Sequence, residues 1–115
     1  MKKVYYLSTC NTCARILSEL QLPEGFIYQD IKKEEITSEQ LEEMQNLAGS
    51  YENLFSRNGM NYRLLGVYKM DLEEKDFRNY ILKDYTFLKR PVIIIGDEIF
   101  IGNASRTVED AKDAL

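Results

Sequence analysis

Val4-Tyr5-Tyr6-Leu7-Ser8-Thr9-Cys10-Asn11-Thr12-Cys13-Ala14-Arg15-Ile16-Leu17-Ser18-Glu19-Leu20 decides how the rest of the chain is read. Its first four residues are β-branched, aromatic or apolar throughout, as expected of a strand covered on both faces. Ile16, Leu17 and Leu20 instead recur at i, i+1, i+4, the stripe of an amphipathic helix. Cys10 and Cys13 stand where the one element gives way to the other. A sulfur at the start of a helix feels unpaired N–H groups and the positive end of the helix dipole, which favour thiolate over thiol. Cys10 is therefore the expected nucleophile, set against the general tendency of free cysteine to be a buried small hydrophobe. Cys13, inside the first helical turn, reads either as a resolving thiol that attacks a derivative on Cys10 or as a core residue.

Working outward, Leu22-Pro23-Glu24-Gly25 breaks the helix, and Phe26-Ile27-Tyr28-Gln29-Asp30-Ile31 is a second aromatic and β-branched run. The opening is thus a βαβ unit, with a parallel strand pair and a right-handed crossover. Thr37 or Ser38 caps a helix carrying Leu41, Met44, Leu47 and Ala48, and Gly49 ends it. From Ser50 to Tyr68, short apolar clusters around Asn58-Gly59 predict short helices joined by turns. A longer helix runs from about Leu72 to Lys83, with Phe77, Tyr80 and Ile81 on one face and acidic residues near its start. Arg90-Pro91 then leads into Val92-Ile93-Ile94-Ile95, a Gly96-Asp97 turn and Ile99-Phe100-Ile101, a β-hairpin. Proline, with no N–H for the ladder, suits a strand start. Asn103 or Ser105 caps a closing helix with Val108, Ala111 and Leu115 on one side. The order predicts an α/β fold: a mixed four-stranded sheet with helices on both faces and a helical insertion at about residues 37–84, all in one domain over 1–115.

Composition narrows the function. The 115 residues, 44% hydrophobic and 30% charged, suit one globular core. The apolar run before Ser8 is too short for a secretory signal, and no stretch approaches a membrane span, so a cytoplasmic, membrane-free location is expected. In that reducing compartment two close cysteines point to redox or catalytic use rather than to a structural staple. Fifteen Lys and Arg against 19 Asp and Glu leave a net charge of −4, with no basic field for direct nucleic-acid binding. There is no histidine, which rules out a Cys–His couple. One CxxC with no second cysteine pair cannot complete a zinc site, so no metal is expected.

Three stretches, taken with this order of elements, carry a likeness to a known family. They are Tyr6 to Leu17 around the cysteines, Leu54-Phe55-Ser56-Arg57-Asn58-Gly59-Met60-Asn61-Tyr62 in the insertion, and Leu88-Lys89-Arg90-Pro91-Val92-Ile93-Ile94 before the hairpin. The chain resembles the arsenate reductase family, which also contains the transcription regulator Spx, and through it the thioredoxin fold. The resemblance implies that Cys10 is the catalytic cysteine, Arg57 the insertion arginine, Arg90 the arginine before the proline, and Pro91 a cis-proline facing the cysteine. A guanidinium matches an oxyanion bidentately and holds its charge, so Arg57 and Arg90 are the expected catalytic and substrate-binding cations, with Pro91, Asn11 and Thr12 also candidates for substrate contact. Family reductases carry Asn-Pro ahead of the cysteine and an arginine four residues beyond it. Here Ser8-Thr9 and Ala14 stand there, Arg15 comes one place late, and Asn103 falls near a third oxyanion arginine, with Arg106 the nearest substitute.

The expected function is a thiol-dependent oxidoreductase acting on an oxyanion or disulfide. It would bind no cofactor and draw electrons from glutathione with glutaredoxin, or from thioredoxin if Cys13 resolves. The alternative is an Spx-like regulator that binds RNA polymerase, with Cys10–Cys13 as an oxidation switch and Gly49 at a polymerase-contact position.

Overall fold

Alternation of side chains along β1 (Lys2–Tyr6) places Val4 and Tyr5 on opposite faces of the sheet, and both are buried. The computed structural model describes residues 1–115. β1 pairs in parallel with β2 (Ile27–Asp30) and antiparallel with β3 (Val92–Ile95), which continues through a hairpin into β4 (Glu98–Ile101). The strand order is β2-β1-β3-β4, a mixed four-stranded sheet. Between β1 and β2 runs α1 (Asn11–Leu20), and α5 (Ser105–Asp113) follows β4. Val4 stands opposite Ile93 in the register. With Ile16 and Leu20 of α1 and Ala111 of α5 they form one buried cluster, against which Leu17, Phe100 and Val108 pack. Each fully buried aliphatic side chain here contributes about 1.5–3 kcal/mol relative to exposure.

These elements make up one compact unit, Met1–Glu35 with Arg90–Leu115; the continuous stretch Ile36–Lys89 makes a second. The second unit begins with α2 (Ser38–Ala48), whose Thr37 hydroxyl accepts from the Gln40 N–H while the Gln40 side chain accepts from the Thr37 N–H. This capping box satisfies two donors that the helix start leaves open. Short 3₁₀ turns at Glu52–Leu54 and Val67–Lys69 flank α3 (Met60–Leu64), as the turn-rich reading of this stretch expects. α4 (Glu74–Lys83) follows, two residues later than the sequence suggests, because Glu73 and Asp76 form a second capping box there. Phe55 is fully buried at the centre of this unit, stacked on Phe87 at 5.4 Å and tilted against Phe77 at 4.9 Å. Gly59 is demanded by space: a Cβ there would lie 2.7 Å from the Thr86 carbonyl oxygen.

Two expectations for the closing helix need correction, and β2 shows a burial pattern of its own. In β2, Ile27 and Tyr28 are 60% and 50% exposed while Gln29 and Asp30 are buried. β2 is an edge strand, and its polar residues are used to hold the loops at its end. The Gln29 amide donates to the Glu34 carbonyl at 3.1 Å. The closing helix is capped by Ala104, with no side-chain bond, rather than by Asn103 or Ser105. Leu115 lies beyond that helix and is exposed, so only Val108 and Ala111 of its predicted stripe turn inward.

Candidate functional site

The reactive turn forms because β1 ends at Tyr6 and the chain must reverse into α1. The Cys10 N–H donates to the Leu7 carbonyl at 3.0 Å, closing the turn, and the Cys10 carbonyl accepts the Ala14 N–H at 3.2 Å, opening the helix. Cys10 is thus the N-cap residue, in extended conformation, with Asn11 and Thr12 in the first turn behind it. Both cysteines are free thiols; Cys10 is half-buried and Cys13 buried.

Their acidities diverge. Burial pushes the Cys10 thiol up, but the Cys13 N–H, the Cys13 thiol, the Thr12 N–H and the positive charge of Arg90 together outweigh it, so Cys10 titrates below an ordinary thiol. Cys10 makes no side-chain cap hydrogen bond, so the N–H groups act on it mainly through their dipoles. Cys13 is pushed up to about 11 chiefly by burial, with the Cys10 sulfur adding to it, against the opposing pull of the Leu7 backbone and of Arg90. Cys10 is thus the readier of the pair to ionise, and Cys13 is held as thiol.

Arg90 and Pro91 belong to the same unit as the cysteines. The Arg90–Pro91 peptide bond is cis, as the resemblance implies, and the Pro91 carbonyl accepts the Gly102 N–H at 2.9 Å, tying the proline to the far end of the hairpin. Arg90 is half-buried, and its charge reaches both sulfurs. Arg57 belongs to the second unit. There its guanidinium pairs with Glu52 at 3.1 Å and lies over the Phe55 and Phe77 rings at 5.8 and 5.5 Å. Arg106 pairs with Asp110 along α5 and is mostly exposed, as is Asn103. Arg15 pairs with Glu19 at 3.7 Å.

Sequence reading passed over Asp30. This buried residue ends β2 beside Tyr6, and its Oδ1 accepts the N–H groups of Ser8 at 3.4 Å and Lys32 at 3.2 Å. A carboxylate set between Gln29 and Ile31 in an aromatic and β-branched strand run was the available signal, since buried charge is rare unless it is bonded. No group of three or more His, Cys, Asp or Glu side chains is placed to hold a metal ion. No helix is long and apolar enough to cross a membrane.

Comparison with solved structures places this architecture among close likenesses of fold. Arsenate reductase from Vibrio cholerae superposes with a TM-score of 0.76 at 13% identity, covering 99% of this chain and 98% of the other. The YffB protein gives 0.79 at 22% identity over 100% and 99% of the two chains. An arsenate reductase (ArsC) related protein from Brucella melitensis gives 0.69 at 24% identity over 95% and 92%. No curated protein sequence matches the chain. The fold is the α/β thioredoxin-like one expected from the order of elements. The ArsC family model matches residues 5–111, from β1 into α5, and the chain belongs to the ArsC family.

Proposed function

We propose that this protein is a thiol oxidoreductase of the arsenate reductase type, in which the Cys10 thiolate attacks an oxyanion or a disulfide. The observation that carries the reading is the opposed acidity of Cys10, lowered, and Cys13, raised to about 11. With an oxyanion, the thiolate displaces a hydroxyl that leaves as water, and a second thiol then attacks the Cys10 sulfur. The two thiols give up two electrons as their disulfide forms, and the central atom departs reduced. With a disulfide substrate, Cys10 forms a mixed disulfide and the leaving thiolate takes up a proton. Cys13, or an external thiol from glutathione with glutaredoxin or from thioredoxin, then releases the product. Arg90 stabilises negative charge beside the sulfur, and Arg57, matched to the family's insertion arginine, is assigned to oxyanion binding. With Asn103 at the third arginine position and Arg106 engaged by Asp110, the reading favours disulfide over oxyanion turnover.

NADPH-coupled assays test this, with arsenate or a small disulfide as substrate and glutaredoxin with glutathione, or thioredoxin with its reductase, as donor. Turnover should be abolished in Cys10→Ser. Absence of Cys10-dependent turnover with both substrate classes, combined with capture of RNA polymerase by the oxidised form alone, would support the regulator instead. Gly49 lends that alternative no independent weight: it ends α2 at φ +93°, a left-handed conformation that calls for glycine in any case.

A further inference from the structure

We infer that Asp30 is a positioning residue for the nucleophile, anchoring the loop between β1 and α1 so that Cys10 stays at the mouth of the helix; this rests on Cys10 being the nucleophile. The loop is short: Leu7, Ser8 and Thr9 separate the last residue of β1 from the N-cap. One end is held by β1. In the register Tyr6 lies beside Asp30, and the Ile31 N–H donates to the Tyr6 carbonyl at 2.9 Å. The loop's own backbone has two ties. The Cys10 N–H binds Leu7, and the Ser8 N–H reaches Asp30 Oδ1 at 3.4 Å. Ser8 is itself exposed, so without the carboxylate water would take its N–H and the loop would lose its link to β2.

The same oxygen accepts the Lys32 N–H at 3.2 Å, so one buried carboxylate fastens the chain entering the nucleophile turn to the chain leaving β2. Its other oxygen, Oδ2, is buried and makes no hydrogen bond, a placement that a purely stabilising residue would not favour. The Ser8 hydroxyl chiefly, with the Lys32 and Ser8 N–H groups and the charge of Lys33, holds the carboxyl below the usual range against the opposing effect of burial. Asp30 is not among the leading groups that set the acidity of Cys10 or Cys13. It acts through geometry, not as a base.

Geometry and charge predict opposite signs, which makes the inference testable. If Asp30 acted only through its charge, removing that charge would ease ionisation of Cys10 and lower its thiol midpoint. If Asp30 holds the turn, losing the acceptor loosens Cys10 from the N–H groups of Thr12 and Cys13, and the midpoint rises. The experiment is the pH profile of Cys10 alkylation, resolved from Cys13 by peptide mass spectrometry, in the full chain and in Asp30→Asn and Asp30→Ala. Asn keeps an acceptor oxygen and should stay within about twofold of wild type. Ala should shift the midpoint upward and slow alkylation about tenfold at pH below the midpoint, as one pKa unit requires. Should the Ala variant fail to fold, slow hydrogen exchange of the exposed residue Ser8's amide in the wild type, retained in Asp30→Asn, carries the inference, and rapid exchange overturns it. A folded Ala variant with a wild-type or lowered midpoint, or an Asn variant behaving like Ala, also overturns it. Wild-type Cys10 alkylating no faster than Cys13 would instead overturn the nucleophile assignment, so the two failures are told apart.

Discussion

Cys10 and Cys13 lie one turn apart at the start of α1, and the fold drives their acidities in opposite directions, Cys10 below an ordinary thiol and Cys13 up to about 11. The difference arises from depth. Cys10 caps the helix at its open end, whereas Cys13 is fully buried beneath it, and a thiolate there would lose its hydration.

Alkylation should therefore separate the two sulfurs. At neutral pH Cys10 should react at least tenfold faster than Cys13, and Cys13 should become reactive only as pH approaches about 11. Equal rates in a time course with iodoacetamide would remove the assignment of roles.

The same split has a stability signature. Cys13 is raised in the folded state, so the native form holds its proton more tightly than the unfolded chain, whose free thiol titrates near about 8.5. Its contribution is fully present below that value and is lost as pH climbs to about 11. Denaturant melts between pH 8 and 11 should show this decline, and Cys13→Ala should flatten it.

Arg57→Ala is expected to alter activity far more than stability. The ion pair with Glu52 is about half exposed, and the ring contacts are those of a surface cation, so together they stabilise the fold by about 2 kcal/mol at most. Oxyanion turnover should fall tenfold or more. A loss of activity matched by a large drop in melting temperature would show a structural role instead.

Phe55→Ala should destabilise the protein by about 3–5 kcal/mol, because it empties the centre of a ring cluster formed with Phe77, Tyr80 and Phe87. Urea unfolding measures this directly. A change below about 1 kcal/mol would mean that the cluster collapses to fill the void.

Gly49→Ala should be destabilising by about 1–2 kcal/mol, since a Cβ at φ +93° is strained whatever space surrounds it. A neutral outcome would remove the conformational account of this glycine and reopen a role in contacting a partner.

Most of the architecture is local and was legible without a structure. Periodicity placed α1, α2 and α4, Thr37 or Ser38 marked one helix start, where the structure selects Thr37, and Gly96-Asp97 marked the hairpin, where Gly96 takes φ +62°. The place of the two cysteines at the start of a helix also followed from the sequence, because a strand run, a polar turn and an apolar stripe leave only one junction. Tertiary structure alone decided what happens at β2. Its apolar Ile27 and Tyr28 face solvent while Gln29 and Asp30 are buried, an inversion of the usual pattern. Which side chains an edge strand buries depends on its neighbour and on the loops that end upon it. Those are long-range facts, and the bond from Asp30 to Ser8, 22 residues away in the chain, is one of them.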